Sequence, residues 1–199
     1  MHARYIVKDS FYRKAKKEGY RARSAYKLEE IIQRYPAIIK KGDRVLDLGA
    51  APGSWMQVES ALVGETGLVV GLDILSMAPI ASPNVVLKKA DVREIDPAGL
   101  LREVGIPAFD VVTSDIAPNL SGIGEVDDAR INELYLAVLR VVEEGLRQGG
   151  NFLIKLFFSP DFARLAAELK QRFSKVAVFK PQASRGRSGE VYLVCLSKR

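Results

Sequence analysis

Lys155 is the only charge in the run Asn151-Phe152-Leu153-Ile154-Lys155-Leu156-Phe157-Phe158. A strand in the middle of a parallel sheet is continuously apolar, and burying an unpaired ammonium in one costs free energy. A lone lysine at a strand end snorkels to water. A lysine with a carboxylate across the neighbouring strand is instead a candidate for proton chemistry. Asp115 is that carboxylate: it follows Val111-Val112-Thr113-Ser114 and precedes Ile116-Ala117-Pro118-Asn119. Two further charged residues stand out. Lys27 lies in a helical segment beside Arg21 and Arg23, and Glu190 is the only acid in the last thirty residues. Taken singly, these two read as solvated face residues.

A second group of residues suits a ligand. In Val45-Leu46-Asp47-Leu48-Gly49-Ala50-Ala51-Pro52-Gly53-Ser54-Trp55 a strand runs through a small-residue turn into a helix. Gly49 and Gly53 let backbone approach a ligand closely. Asp73 ends the next strand, 20 residues after Gly53, where an acid hydrogen-bonds ribose hydroxyls in nucleotide-binding sheets. Asp91 and Asp115 end the strands that follow. A dinucleotide site wants G-x-G-x-x-G facing a pyrophosphate, and Gly49-Ala50-Ala51-Pro52-Gly53-Ser54 matches it poorly. The acid Asp47 just before the turn suits a cationic or amino-bearing ligand better. The loop therefore leans towards S-adenosylmethionine over a nicotinamide cofactor.

These residues need a frame that brings strand ends together. Helical spacing of Ala25, Leu28, Ile31 and Ile32 predicts a helix over 22–35, with Ser24 as N-cap and Pro36 as its stop. Strands are predicted at 44–48, 68–74, 85–90, 109–114, 151–158, 176–179 and 191–196. Helices are predicted at 54–63, 127–148 and 161–173, the second stopped by Gly149-Gly150. Strands alternating with helices imply an α/β, doubly wound, mostly parallel sheet, with ligands at the carboxyl ends of its strands.

Charge is unevenly spread along the 199 residues. Residues 1–41 carry 12 Lys/Arg against 4 Asp/Glu, residues 42–169 carry 10 against 19, and residues 170–199 carry 8 against 1. Two basic ends around an acidic middle suggest a polyanion surface built from both termini. Tyr5, Phe11, Tyr12 and Tyr20 are interleaved with the first basic segment, where they either stack on bases or pin the segment to the domain. The reading is a basic arm at 1–21 and one domain at 22–199. No apolar run is long enough to span a membrane, no signal-peptide pattern opens the chain, and the single Cys195 reads as a buried thiol in a reducing cytoplasm.

Five segments taken in order resemble the FtsJ/RrmJ family of RNA ribose 2′-O-methyltransferases. They are Arg23-Ser24-Ala25-Tyr26-Lys27-Leu28, Leu46 to Trp55, Ser114 to Asn119, Ile154-Lys155 and Lys180 to Glu190. Ser54 and Met56 stand where the family more often has glycine and a small polar residue. The resemblance implies a Rossmann-like methyltransferase sheet with an antiparallel last strand. It implies a catalytic tetrad of Lys27, Asp115, Lys155 and Glu190, and S-adenosylmethionine held by Gly53, Trp55, Asp73, Asp91 and Asp115, with no metal. Lys155 is the expected base or alkoxide stabiliser, set among Phe152, Leu156 and Phe157, and Asp115 orients it. Lys27 and Glu190 hold the ribose. The expected partner is RNA, through ribosomal RNA or the large ribosomal subunit and a uridine target, with no DNA or membrane partner and a monomeric chain. Transfer RNA methylation and a non-catalytic ribosome-assembly role are the alternatives.

Overall fold

The computed structural model describes residues 10–117, 124–157, 160–184 and 189–199. In chain order the elements are α1 (Ser10–Glu18), α2 (Ala25–Arg34), β1 (Arg44–Leu48), α3 (Ser54–Val63), β2 (Leu68–Asp73), β3 (Val85–Lys89), α4 (Pro97–Val104), β4 (Phe109–Ser114), α5 (Gly124–Gly145), β5 (Leu146–Phe157), α6 (Pro160–Arg172), β6 (Phe173–Phe179) and β7 (Glu190–Lys198). The seven strands form one sheet in the order β3-β2-β1-β4-β5-β7-β6. All neighbours pair in parallel except β7, which runs antiparallel to both β5 and β6. The chain reverses direction across the sheet between β1 and β4, and this switch point opens a crevice at the strands' carboxyl ends.

Side chains alternate between the faces of a strand, so each strand serves two cores. Leu46, Leu48, Val70, Leu72, Val112, Ile154 and Leu156 pack with α4, α5 and α6. Val45, Val69, Val111, Leu153, Tyr192 and Val194 pack with α2 and α3. The same parity puts Asp47, Thr113, Asp115, Lys155 and Glu190 on the α2/α3 face. Each fully buried aliphatic contributes roughly 1.5–3 kcal/mol; the polar residues sharing their face must be paired instead.

Several elements differ from expectation. Ser24 occupies the N-cap position of α2, yet makes no capping bond. Its Oγ meets Ser54 Oγ at 2.8 Å and its carbonyl accepts from Trp55 Nε1 at 2.9 Å, so it ties α2 to α3. Helix α5 ends at Gly145 rather than running to 148. Leu146, which continues the helix's apolar stripe, instead pairs with Phe109 at the start of β5. Lys198 takes over the stop: its Nζ donates to the carbonyls of Val142, Glu143 and Leu146 at 3.0, 2.6 and 3.1 Å. Gly149 and Gly150 therefore lie inside β5, at its register shift against β4. Helix α4 was not foreseen, although Asp96, Pro97 and Gly105 spell its cap, first turn and left-handed stop. Helix α1 lies within the segment read as a basic arm. Its Ala15 is buried against Tyr26 and Ala183, with Phe11 and Tyr20 packed alongside, while Tyr12 is exposed. Two of the interleaved rings therefore pin this helix to the domain; Tyr5 lies outside the described residues.

Candidate active site

The loop between β1 and α3 is fixed from both sides. Gly49 and Ala50 donate to the Leu72 carbonyl at 2.8 and 3.2 Å. A Cβ on Gly49 would sit 2.5 Å from Ile116 Cγ1 and 3.0 Å from its Cα, so only glycine lets the loop lie against the chain leaving β4. Gly53 caps α3 at φ +100°, a left-handed conformation open to glycine. Asp73 braces the turn, accepting from Ala51 N at 2.9 Å and from Leu75 N at 2.8 Å. The Arg21 guanidinium spans two loops, donating to the carbonyls of Pro52, Ala78 and Pro79 at 3.0, 2.7 and 2.5 Å. Ser24, Asp47, Gly49, Ala50, Trp55 and Asp115 line the small pocket above the turn.

Beside this pocket the four expected charged residues form two ion pairs. Lys155, only 5 % exposed, places Nζ 3.0 Å from Asp115 Oδ1 and 2.5 Å from the Asp115 carbonyl. The parallel register explains the contact: Ser114 pairs with Ile154, so the next residues face each other. Lys27, 7 % exposed on α2, reaches Glu190 Oε2 at 2.9 Å at the start of β7. Phe152 and Leu156 do not surround Lys155 as expected. Period two turns both to the other face, and the ring near Nζ is Phe157, 5.9 Å to its centroid.

Tyr192 lies between the two pairs. It is the β7 partner of Lys155, and its hydroxyl donates to Asp115 Oδ1 at 2.8 Å. Its ring lies 5.9 Å from Lys27 Nζ and 5.8 Å from the Trp55 ring. Burial, followed by the Asp115 charge, pushes its phenol well above the ordinary range, so it stays protonated as a donor. The sequence reading passed over this residue. The signal was a polar ring two residues after Glu190, on the same face of an apolar strand.

Residues 20–198 match the model of the FtsJ-like methyltransferases. The chain belongs to that family.

Relatives of this FtsJ-like methyltransferase extend over its whole length. Ribosomal RNA large subunit methyltransferase E of Bdellovibrio bacteriovorus is 44% identical over 196 residues, spanning 98% of this chain and 99% of that protein. The protein of the same name from Syntrophobacter fumaroxidans is 46% identical over 195 residues, spanning 98% of each. A solved Plasmodium falciparum structure assigned as a ribosomal RNA methyltransferase superposes with a TM-score of 0.78 at 30% identity, covering 90% of this chain and 98% of that one.

In this FtsJ-like methyltransferase the structure collects Lys27, Asp115, Lys155 and Glu190 at one end of the sheet, with Gly53, Trp55 and Asp73 around the adjoining loop. Asp91 lies past the end of β3 and is gripped by Arg93 through Nε at 3.0 Å and Nη2 at 2.5 Å. The Arg93 hydrogen bonds outweigh burial and hold its carboxyl below the usual range. Pro118, Asn119, Arg185 and Arg187 lie outside the described residues. Among the described residues, no group of three or more His, Cys, Asp or Glu is placed to hold a metal ion.

Under the loop is a polar group that the sequence reading did not connect. Asp47 on β1 and Glu59 on α3 are both fully buried. Thr113, the β4 register partner of Asp47, lies between them, its Oγ1 2.8 Å from Glu59 Oε1 and 3.4 Å from Asp47 Oδ1. Burial, then repulsion from Glu59 and Asp115, raises Asp47 far above the carboxylate range. Burial raises Glu59 to about 7 against the opposing Thr113 bond.

Proposed function

We propose that this chain transfers a methyl group from S-adenosylmethionine to a ribose 2′-hydroxyl of RNA, and that the RNA is large-subunit ribosomal RNA with a uridine target. The observation that carries this reading is the Lys155–Asp115 pair, buried at the carboxyl ends of two adjacent parallel strands and open to the loop that would hold the cofactor. The relatives' names support the substrate class, and RNA alone carries the 2′-hydroxyl that such a pair would activate.

The residues present fit the cofactor. Gly53 leaves room for a ligand against the start of α3, where a Cβ would also press on Arg21 and Ile80 at 3.1 Å. Asp73 suits ribose hydroxyls, Asp91 the far side of the nucleoside, and Trp55 and Asp115 the remainder. An acid-lined pocket suits a cation and would repel a pyrophosphate. When bound, this cofactor supplies an electrophilic methyl and a neutral leaving group, so the hard chemistry is the cofactor's.

The protein's own task is position and a proton. Lys155 Nζ stands where it takes up the proton of the attacking hydroxyl or stabilises the forming alkoxide. The Asp115 carboxylate and carbonyl fix where Nζ points, and Tyr192 holds Asp115 in turn. Lys27 and Glu190, clamped together, supply a donor and an acceptor for the ribose. Placing the oxygen at near-attack distance is the main contribution expected of such a frame. The basic residues of the segment before α2 supply phosphate contacts.

The direct test incubates the protein with radiolabelled S-adenosylmethionine and unmethylated large ribosomal subunits, free ribosomal RNA or transfer RNA, followed by nuclease mapping. Label on a ribose of large-subunit RNA is the expected result. Label on a base would remove the ribose assignment, and label confined to transfer RNA would replace the substrate. No label anywhere, with cofactor bound, would favour the non-catalytic assembly role.

A further inference from the structure

Asp47 and Glu59 present a charge problem that the methyl-transfer chemistry does not use. Both are fully buried, and among the described residues Asp47 Oδ2 and Glu59 Oε2 have no hydrogen-bond partner. The one group between them, the Thr113 hydroxyl, has a single hydrogen to give. The charged groups around them do not offset two negative charges. Asp73 at the end of β2 and Asp115 past β4 add to the repulsion. Lys155 on β5 is engaged by Asp115, and Lys27 on α2 by Glu190. Two unpaired carboxylates at zero exposure would go without the solvation that water gives them, so one of them is protonated.

One arrangement of the proton satisfies the inner atoms. The Asp47 carboxylic acid donates to Thr113 Oγ1, and the Thr113 hydroxyl donates to Glu59 Oε1 at 2.8 Å. Asp47 is the member that lines the pocket above the cofactor loop, beside Gly49, Ala50 and Trp55.

We propose that Asp47, Thr113 and Glu59 together hold one proton in the ligand-free protein, and that a cationic ligand entering the pocket beside Asp47 drives that proton out to solvent. This rests on S-adenosylmethionine being the ligand. The step is direct: the Asp47 O–H bond breaks, its electron pair stays on the carboxylate, and the proton leaves to solvent by the pocket side. Afterwards Asp47 is a carboxylate facing the cation. Glu59 is a carboxylate accepting from Thr113, the 2.8 Å contact of the pair. Glu59 is thus a positioning residue that sets the charge of Asp47 and touches no ligand itself. Cofactor affinity becomes linked to pH: the ligand prefers the ionised trio, so binding tightens as pH rises through the trio's titration and levels off above it.

Calorimetric titration of the full chain with S-adenosylmethionine near neutral pH, in two buffers of different ionisation enthalpy, counts the protons released. The wild type is expected to release up to one proton more per cofactor bound than Glu59→Gln, whose amide donates to Thr113 permanently and leaves Asp47 charged. The wild-type affinity relative to the variant is expected to improve by up to about tenfold per pH unit below the titration. Because the cofactor's own amino group titrates in both proteins, the difference isolates the trio. Equal proton counts and parallel pH profiles would overturn the proposal. Should neither protein bind S-adenosylmethionine at any pH, the cofactor assignment falls, and the trio is then tested without ligand. The chain has a single histidine, His2, and so few other side chains of a type that titrates near neutrality. With a raised folded-state value the trio's contribution is complete below the unfolded value and is lost as pH rises through the folded one. The wild-type melting temperature is expected to fall from about pH 6 to about pH 8, more steeply than that of Glu59→Gln. A flat or rising profile would overturn the shared proton.

Discussion

An acid stands at each end of strand β4, buried Asp110 near its start and half-buried Asp115 just past its finish, and the two are treated in opposite ways. At its amino end, Asp110 is held by two guanidinium groups. Arg44 donates through N and Nε to Oδ2, both at 2.8 Å, and through Nη2 to Oδ1 at 3.2 Å; Arg147 Nε adds a bond to Oδ1 at 2.6 Å. Burial alone would raise this carboxyl, but the arginine bonds outweigh it and hold it down at about 2. At the carboxyl end, Asp115 shares one oxygen between Lys155 and Tyr192, and just beneath it Asp47 and Glu59 keep oxygens with no partner among the described residues. The amino end is closed, with each carboxylate oxygen engaged by a guanidinium that never loses its charge. The carboxyl end is built from lysines, a phenol and raised acids, all of which can change partner or proton. A stabilising cluster and a working site can therefore be told apart by what is left unsatisfied, not by the number of charges.

Breaking the working end should have the largest effect. Lys155→Ala is expected to lower turnover by at least about 100-fold while leaving S-adenosylmethionine affinity within a few-fold; single-turnover methyl transfer with calorimetry separates the two, and retained turnover would remove the base role. Breaking the closed end should cost stability instead. Asp110→Asn is expected to destabilise the fold by about 2–3 kcal/mol, less than a fully buried pair because Arg147 is half exposed, with cofactor affinity unchanged in denaturant and binding titrations.

The two ends also predict opposite pH behaviour. The Asp110 carboxyl is depressed, so its contribution is present above the unfolded value of about 3.9 and lost as pH falls towards 2. That loss should vanish from acid unfolding curves of Asp110→Asn but persist in Glu59→Gln, whose altered slope lies near neutrality. The smallest effect tests a site acid tied down in the manner of Asp110. Arg93 is exposed, so Arg93→Ala should leave the denaturant midpoint essentially unchanged. Releasing Asp91 should nevertheless shift cofactor affinity by a few-fold, and no shift would show that Asp91 is not a ligand contact.

Much of this was readable in the sequence, for definite reasons. The strands at 44–48 and 109–114 and the helix at 54–63 have the observed bounds, because glycine turns or abrupt changes of pattern mark their ends. The Lys155–Asp115 pairing followed from one charge in an apolar strand. The end of α5 was not readable, because Leu146 fits the helical stripe and the group that stops the helix, Lys198, is remote in sequence. Tyr192 and the Glu59–Thr113 contact were hidden for a related reason. A polar residue in an apolar strand, or an acid on a short helix, shows its partner only once strand register is known, and register joins positions 54 and 77 residues apart.

Strand β7 lies between β5 and β6, yet it is made after both. It brings Glu190 to Lys27 across 163 positions of chain, and Tyr192 to Asp115. During translation, then, a nascent chain acquires the glycine loop, Asp115 and Lys155 first, and its place for β7 stays unfilled until β6 has also emerged. A chain cut short before Glu190 would have the glycine loop but lack the Lys27–Glu190 pair and the Tyr192 phenol. Synthesis thus imposes its own order on the site, and the last strand to be made is the one that completes it.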